Sequence, residues 1–343
     1  MKPISASVFA VFLTTTSGAG QLNAADNEYS CKQLFTNEFY QQALPVCLDE
    51  ARNGDANAQF FTATIYAEGK DIKPDYVQAA EWYQKSAEQN HPGAQLALAA
   101  LYYTGKGVLA NRQSAIEWYQ RAADQGDKAA FYNLGLLYEQ EANTEANRLK
   151  ALVNYFNAAE KGSARAQARI GILYAEGERL PLNYIEAFNW LNKAASQNDA
   201  SAQAKLGELY LKGMGTRRNP SQGYFWYSKA AEQGDANAQN MVGALLETGT
   251  GTLRNETGAA KWYLASASQG NTESQYDLGR LYARGLGVEK DIIKAFAWWN
   301  VAASQGHAGA NEYMLISRRD MSASQAGEAQ QLSNEYYRLY AKK

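Results

Sequence analysis

Along most of this chain, small and large apolar residues recur at steps of three and four, stop at a glycine or asparagine, and start again. Residues 91–126 show the pattern. Ala94, Leu98, Leu101 and Tyr102 share one helical face, and Gly105 and Gly107 interrupt it. Val108 and Leu109 are expected to tuck back under the loop. Asn111 is placed to cap a second helix whose inner face is Ala115, Trp118, Tyr119, Ala122 and Ala123. The same grammar predicts antiparallel helix pairs over 55–90, 91–126, 127–162, 163–198, 199–234, 235–270 and 271–306.

The pairs keep register without one insertion. Ala51, Ala87, Ala123, Ala159, Ala195, Ala231, Ala267 and Ala303 are spaced 36 residues apart. Three residues after each stands Gly or Asn: Gly54, Asn90, Gly126, Gly162, Asn198, Gly234, Gly270, Gly306. Such residues suit the left-handed conformation that closes a helix. A period of this size marks an all-α solenoid, in which each unit buries its apolar face on its neighbours. The ends depart from the pattern, as repeat arrays require. Residues 26–54 read as an N-terminal capping helix pair and 307–343 as C-terminal capping helices, the last starting at Ser322. Inside the array, the unit 127–162 lacks the loop glycines and is expected to form a looser joint.

Composition narrows the class of function. Net charge is -2, so no basic field for nucleic acid is expected. Residues 1–25 carry Lys2, an apolar run from Val8 to Leu13 and the small residues Ser17-Gly18-Ala19. They read as a secretory signal peptide cut near Ala19 or Ala25, which makes the protein periplasmic or secreted. No later run reaches the ~18–20 apolar residues of a membrane span. The two cysteines, Cys31 and Cys47, flank a predicted turn near Asn37 and would face each other across a helix pair. In an exported protein a disulfide is expected, with two buried free thiols as the alternative.

Several motifs combine in these columns. Leu206-Gly207…Tyr210 and Leu278-Gly279…Tyr282 precede Gly-x-Gly loops such as Gly213-x-Gly215, Leu134-Gly135…Tyr138 repeats the first of these motifs, and Trp118-Tyr119-x-x-Ala122-Ala123-x-x-Gly126 shows the last. The chain from about 55 to 310 thereby resembles the Sel-one-like repeat family, relatives of the tetratricopeptide repeat. The resemblance implies a right-handed α-solenoid superhelix of helix pairs and a non-enzymatic adaptor or scaffold that holds a protein or peptide. Exported bacterial members of the family serve envelope assembly or host contact. The single sequon, Asn255-Glu256-Thr257, is too little to favour the eukaryotic branch that acts in protein degradation. Some bacterial members have been linked to β-lactam hydrolysis. This chain lacks Ser-x-x-Lys, and its two histidines, His91 and His307, lie in equivalent turns far apart. No cofactor or metal is expected from this inventory. The Gly-x-Gly loops lack the strand and the Lys-Ser/Thr of a phosphate loop.

A partner would be read where units differ. On the first helix of each unit the variable columns share one face, expected to be concave. They include Phe61, Asn133, Arg169, Lys205, Glu208, Lys212, Asp277, Arg280 and Arg284. Toward the C-terminal end the cations among them would suit an acidic segment. In contrast, the repeating Gln59, Gln95, Gln167, Gln203, Gln239 and Gln275 are expected to satisfy backbone groups at the joints.

Overall fold

The computed structural model describes residues 29–341, so the segment 1–25, expected to be a signal peptide, lies outside the described residues. The described secondary structure is helical throughout and falls into two compact units, one ending at Ala110 and the other starting at Asn111.

The first unit contains α1 (Cys31–Thr36), α2 (Tyr40–Arg52), α3 (Ala56–Glu68), α4 (Tyr76–Glu88) and α5 (Pro92–Thr104). Successive helices pack on one another. Cys31 on α1 and Cys47 on α2 are fully buried and joined in a disulfide. Pro92 opens α5, where its missing N–H is harmless, whereas Pro45 is accommodated inside α2.

The second unit contains α6 (Arg112–Asp124), α7 (Lys128–Gln140), α8 (Glu145–Glu160), α9 (Ala164–Glu176), α10 (Tyr184–Ser196), α11 (Ala200–Lys212), α12 (Pro220–Glu232), α13 (Ala236–Thr248), α14 (Glu256–Ser268), α15 (Thr272–Arg284), α16 (Ile292–Ser304), α17 (Ala308–Arg319) and α18 (Ala323–Tyr340). From α6 to α17 each helix again packs on the next. The last helix instead lies along α16 and reaches α14. Trp298 of α16 receives the rings of Tyr336 and Tyr340, with centroids at 4.5 and 5.2 Å.

Three features explain why the sequence folds into repeated pairs. First, a side chain caps nearly every helix: Asp55, Asp127, Asp199 and Asp235 accept from the amide three residues on, and so do Asn111, Asn219 and Asn255. Second, the Gly/Asn column has positive φ throughout, from 63° at Asn90 to 96° at Gly54. Third, first and second helices approach closely at glycine. A β-carbon on Gly135, Gly171, Gly207, Gly243 or Gly279 would stand 2.6–2.8 Å from Tyr155, Leu191, Tyr227, Tyr263 or Trp299.

The Gln column does what its regularity predicts. Each side-chain amide donates to the carbonyl of an alanine eight residues back, as Gln203 does to Ala195 at 3.2 Å. Its oxygen accepts from a glutamine thirty residues on, as Gln203 does from Gln233 at 2.7 Å. Two joints are thereby tied by one buried side chain. One detail differs from expectation: Val108 is partly buried, but Leu109 is 91% exposed. The equivalent positions are Arg217, Leu253 and Glu289, a mix that only a solvent-facing site tolerates.

Candidate functional site: the first-helix face

In the first unit this face is small and apolar. Phe61 stacks on Phe35 with centroids at 4.5 Å. Thr64, in the next turn, shares a hydrogen bond of 3.1 Å with the Tyr83 hydroxyl.

In the second unit the face is charged, and its charges are organised into three clusters. In the first, Arg169 and Arg179 both pair with Glu139, and the Tyr155 hydroxyl donates to the same carboxylate at 2.5 Å. In the second, Lys205 and Lys212 grip Glu208 at 2.7 and 2.6 Å. In the third, Arg280 donates two bonds of 2.6 Å to Glu247 and a third of 3.1 Å to Asp277. Tyr263 donates to Glu247 at 3.1 Å, repeating the Tyr155–Glu139 bond three units earlier.

These contacts set the electrostatics. Burial raises Glu139 and Glu208, but the cations and hydrogen bonds around each outweigh it and hold both carboxyls below their ordinary value. Arg280 holds Glu247 low, against burial. Burial dominates at Asp277 and moves it up. Four of the five expected cations are thus ion-paired to neighbouring carboxylates, with two cations sharing one carboxylate at Glu139 and at Glu208. Arg284 is exposed and forms no ion pair among the described residues. The face is an alternation of paired charges rather than a basic strip. Asn133 is half-buried on α7.

Glu139, Glu247 and Arg179 were not legible as site residues. Their signal was the recurrence of a glutamate sixteen residues before a tyrosine at 139/155 and 247/263.

The atypical unit closes differently. In regular units the second loop glycine lies against the backbone of an earlier helix start: a β-carbon on Gly215 would be 1.9 Å from the Tyr184 carbonyl oxygen, and one on Gly251 2.1 Å from that of Pro220. The equivalent position here is Asn143, and in the next unit Arg179, whose side chains forbid that approach. Arg112 instead donates to the Leu137 carbonyl and pairs with Glu141 at 2.8 Å, closing the end of α7. Beyond it opens a cavity of about 490 Å³, lined by Leu149, Leu152, Tyr155 and Leu173 with Arg148 and Arg179 among its charged members.

The histidines are helix caps. His91 Nδ1 accepts from the Ala94 amide at 3.1 Å, and His307 Nδ1 from Ala310 at 3.0 Å. Among the described residues, no group of three metal-ligating side chains comes together, and no helix is long and apolar enough to cross a membrane.

Stacked helix pairs of fixed length, joined by invariant packing columns and displaying variable side chains on one helix, define an α-solenoid of the interaction-scaffold class. The chain belongs to the Sel1 repeat family, whose model matches residues 56–91, 92–127, 129–163, 164–199, 200–235, 236–271 and 272–307. Among solved structures it is similar to a protective antigen present in uropathogenic Escherichia coli strains, which displays an SLR fold. Identity is 30%, the TM-score 0.80, and the match covers 91% of this chain and 68% of that one. It is also similar to a Sel1 repeat protein from Oxalobacter formigenes at 28% identity and TM-score 0.63, covering 83% of this chain and 86% of that one. No curated protein matches the chain.

Proposed function

We propose that this protein is an exported, non-enzymatic scaffold of the bacterial envelope that holds a protein or peptide partner on the first-helix face of its repeats. The observation that carries this reading is the contrast between columns. Packing positions hardly vary from unit to unit, while the column Phe61, Ala97, Asn133, Arg169, Lys205, Met241 and Asp277 differs in every unit and its neighbours vary widely. A disulfide between buried cysteines and the N-terminal signal-like segment support export. The paired charges favour a partner whose polar groups interleave with them over one that offers only acid. The cavity beside α8 adds a place for one apolar side chain of that partner.

Affinity capture from envelope extract, with the chain starting at Gly20 as bait, tests this. The control bears Lys212→Glu and Arg284→Glu, two exposed changes that leave the arginine clusters intact. Loss of the captured protein in the control supports the face; equal capture by both baits rejects it.

A second reading is a secreted factor that meets a host protein. The similarity to a protective antigen of uropathogenic strains favours it. Fractionation separates the two: release into the medium supports the host-facing reading, and retention in the periplasm rejects it.

A further inference from the structure

We propose that α17 is a docking surface for a second copy of this chain, packed antiparallel across a two-fold axis. The inference goes beyond the first-helix face and uses other residues. By position, α17 is a first helix without a second helix against it. The small-residue column accounts for this: Ala63, Ala99, Gly135, Gly171, Gly207, Gly243 and Gly279 lead to Leu315. The column holds nothing larger than a methyl group, and at each glycine even a β-carbon would crowd the partner helix, so a whole leucine side chain does not fit that pairing. The last helix accordingly folds back along α16. One side of α17 is spent on the array: Ala310 and Ser317 are buried, and Tyr313 meets the rings of Tyr276 and Trp299.

The opposite side carries Ala308, Glu312, Leu315, Ile316 and Arg319, all exposed, with Leu315 at 53% and Ile316 at 47%. Repeat arrays end on polar caps, and this face is apolar at its centre. It is also self-complementary. Glu312 and Arg319 are two helical turns apart and lie symmetrically about the Leu315–Ile316 pair. Neither has an ion-pair partner among the described residues. A two-fold axis through that pair sets Glu312 opposite Arg319 of the second copy, twice, around an apolar centre, as an isologous interface demands.

Light scattering and sedimentation of the full chain over a range of concentrations test the proposal. The wild type should approach twice the mass of one chain as concentration rises. Glu312→Arg or Arg319→Glu alone should weaken association at least about tenfold by like-charge contact, Leu315→Glu should abolish it, and the double reversal E312R/R319E should restore it. All four variants alter exposed positions and should keep the wild-type melting temperature at concentrations low enough for the wild type to be single. A wild type that stays single at every concentration overturns the proposal. So does a dimer indifferent to the single reversals, or a folded double reversal that remains single.

Discussion

Arg280 on α15 closes on Glu247 of α13 through two bonds of 2.6 Å, a bidentate pair between neighbouring repeats. The arrangement makes Arg280 a joint as well as a surface residue. Replacing it with alanine should lower stability by about 1.5–3 kcal/mol, the range for hydrogen bonds to charged groups. The effect should depend on pH. Arg280 keeps Glu247 below its ordinary 4.5, so the folded state favours the ionised form. The pair's contribution is full above the unfolded value and disappears as pH falls through the folded one. Urea unfolding at descending pH should therefore bring wild type and R280A together in acid. A gap of constant size would contradict the assignment.

Close approach at glycine makes a second prediction whose sign is informative. By helix propensity alone, Gly279→Ala should stabilise α15 by about 1 kcal/mol. The new β-carbon would stand 2.6 Å from the Trp299 ring, and overpacking of that kind costs about 1–3 kcal/mol. A lower thermal midpoint for G279A is expected; a higher one would mean that the two helices have room to spare.

The glutamine ties offer a third. Gln239 donates to Ala231 at 3.2 Å and accepts from Gln269 at 2.8 Å. Gln239→Leu keeps the volume and removes both bonds, leaving Ala231 only the Gly234 amide and Gln269 only the Gly234 carbonyl, for a loss of about 1–3 kcal/mol at about 0.5–1.5 per bond. Exposed Gln222→Leu on α12 should change stability by less than about 0.5 kcal/mol. Chemical denaturation of the two variants side by side checks the contrast.

Acid should loosen the start of α5. Burial holds His91 below its ordinary 6.5, and its cap needs an unprotonated Nδ1. The folded state therefore binds the proton less readily than the unfolded chain. The resulting stability is present above 6.5 and is lost as pH falls through the depressed value. His91→Asp, the cap used by Asp55 and Asp127, should remove this part of the pH dependence. Amide exchange in Pro92–Thr104 across that window would register it; identical profiles for the two proteins would refute it.

The helix pairs, caps and packing columns were legible because a fixed period aligns every unit with its neighbours, so chance matches cancel. Leu109 misled because hydrophobicity was weighed at one position; its equivalents Arg217 and Glu289 carried the opposite message. The charge clusters were half legible. Lys205, Glu208 and Lys212 lie at helical spacing, and their pairing follows from it. Glu139 and Glu247 sit in a column otherwise filled by Ala67, Tyr103, Ala175, Leu211 and Ala283. Only their shared offset from Tyr155 and Tyr263 announces them, and Arg179 reaches Glu139 from a loop forty residues away. The fold-back of α18 was likewise hidden, since it follows from positions that leave the period, Leu315 and the residues in place of the Trp-Tyr pair among them.

The central claim is that partners are held on the first-helix face, and site-specific photo-crosslinking in the producing cells tests it most directly. A photoreactive residue would replace Asn133, Thr248 or Arg284 on first helices, and Gln120 or Lys261 on second helices. The account predicts a shared crosslinked protein from the first set and none from the second. Crosslinks confined to the second-helix positions would contradict it.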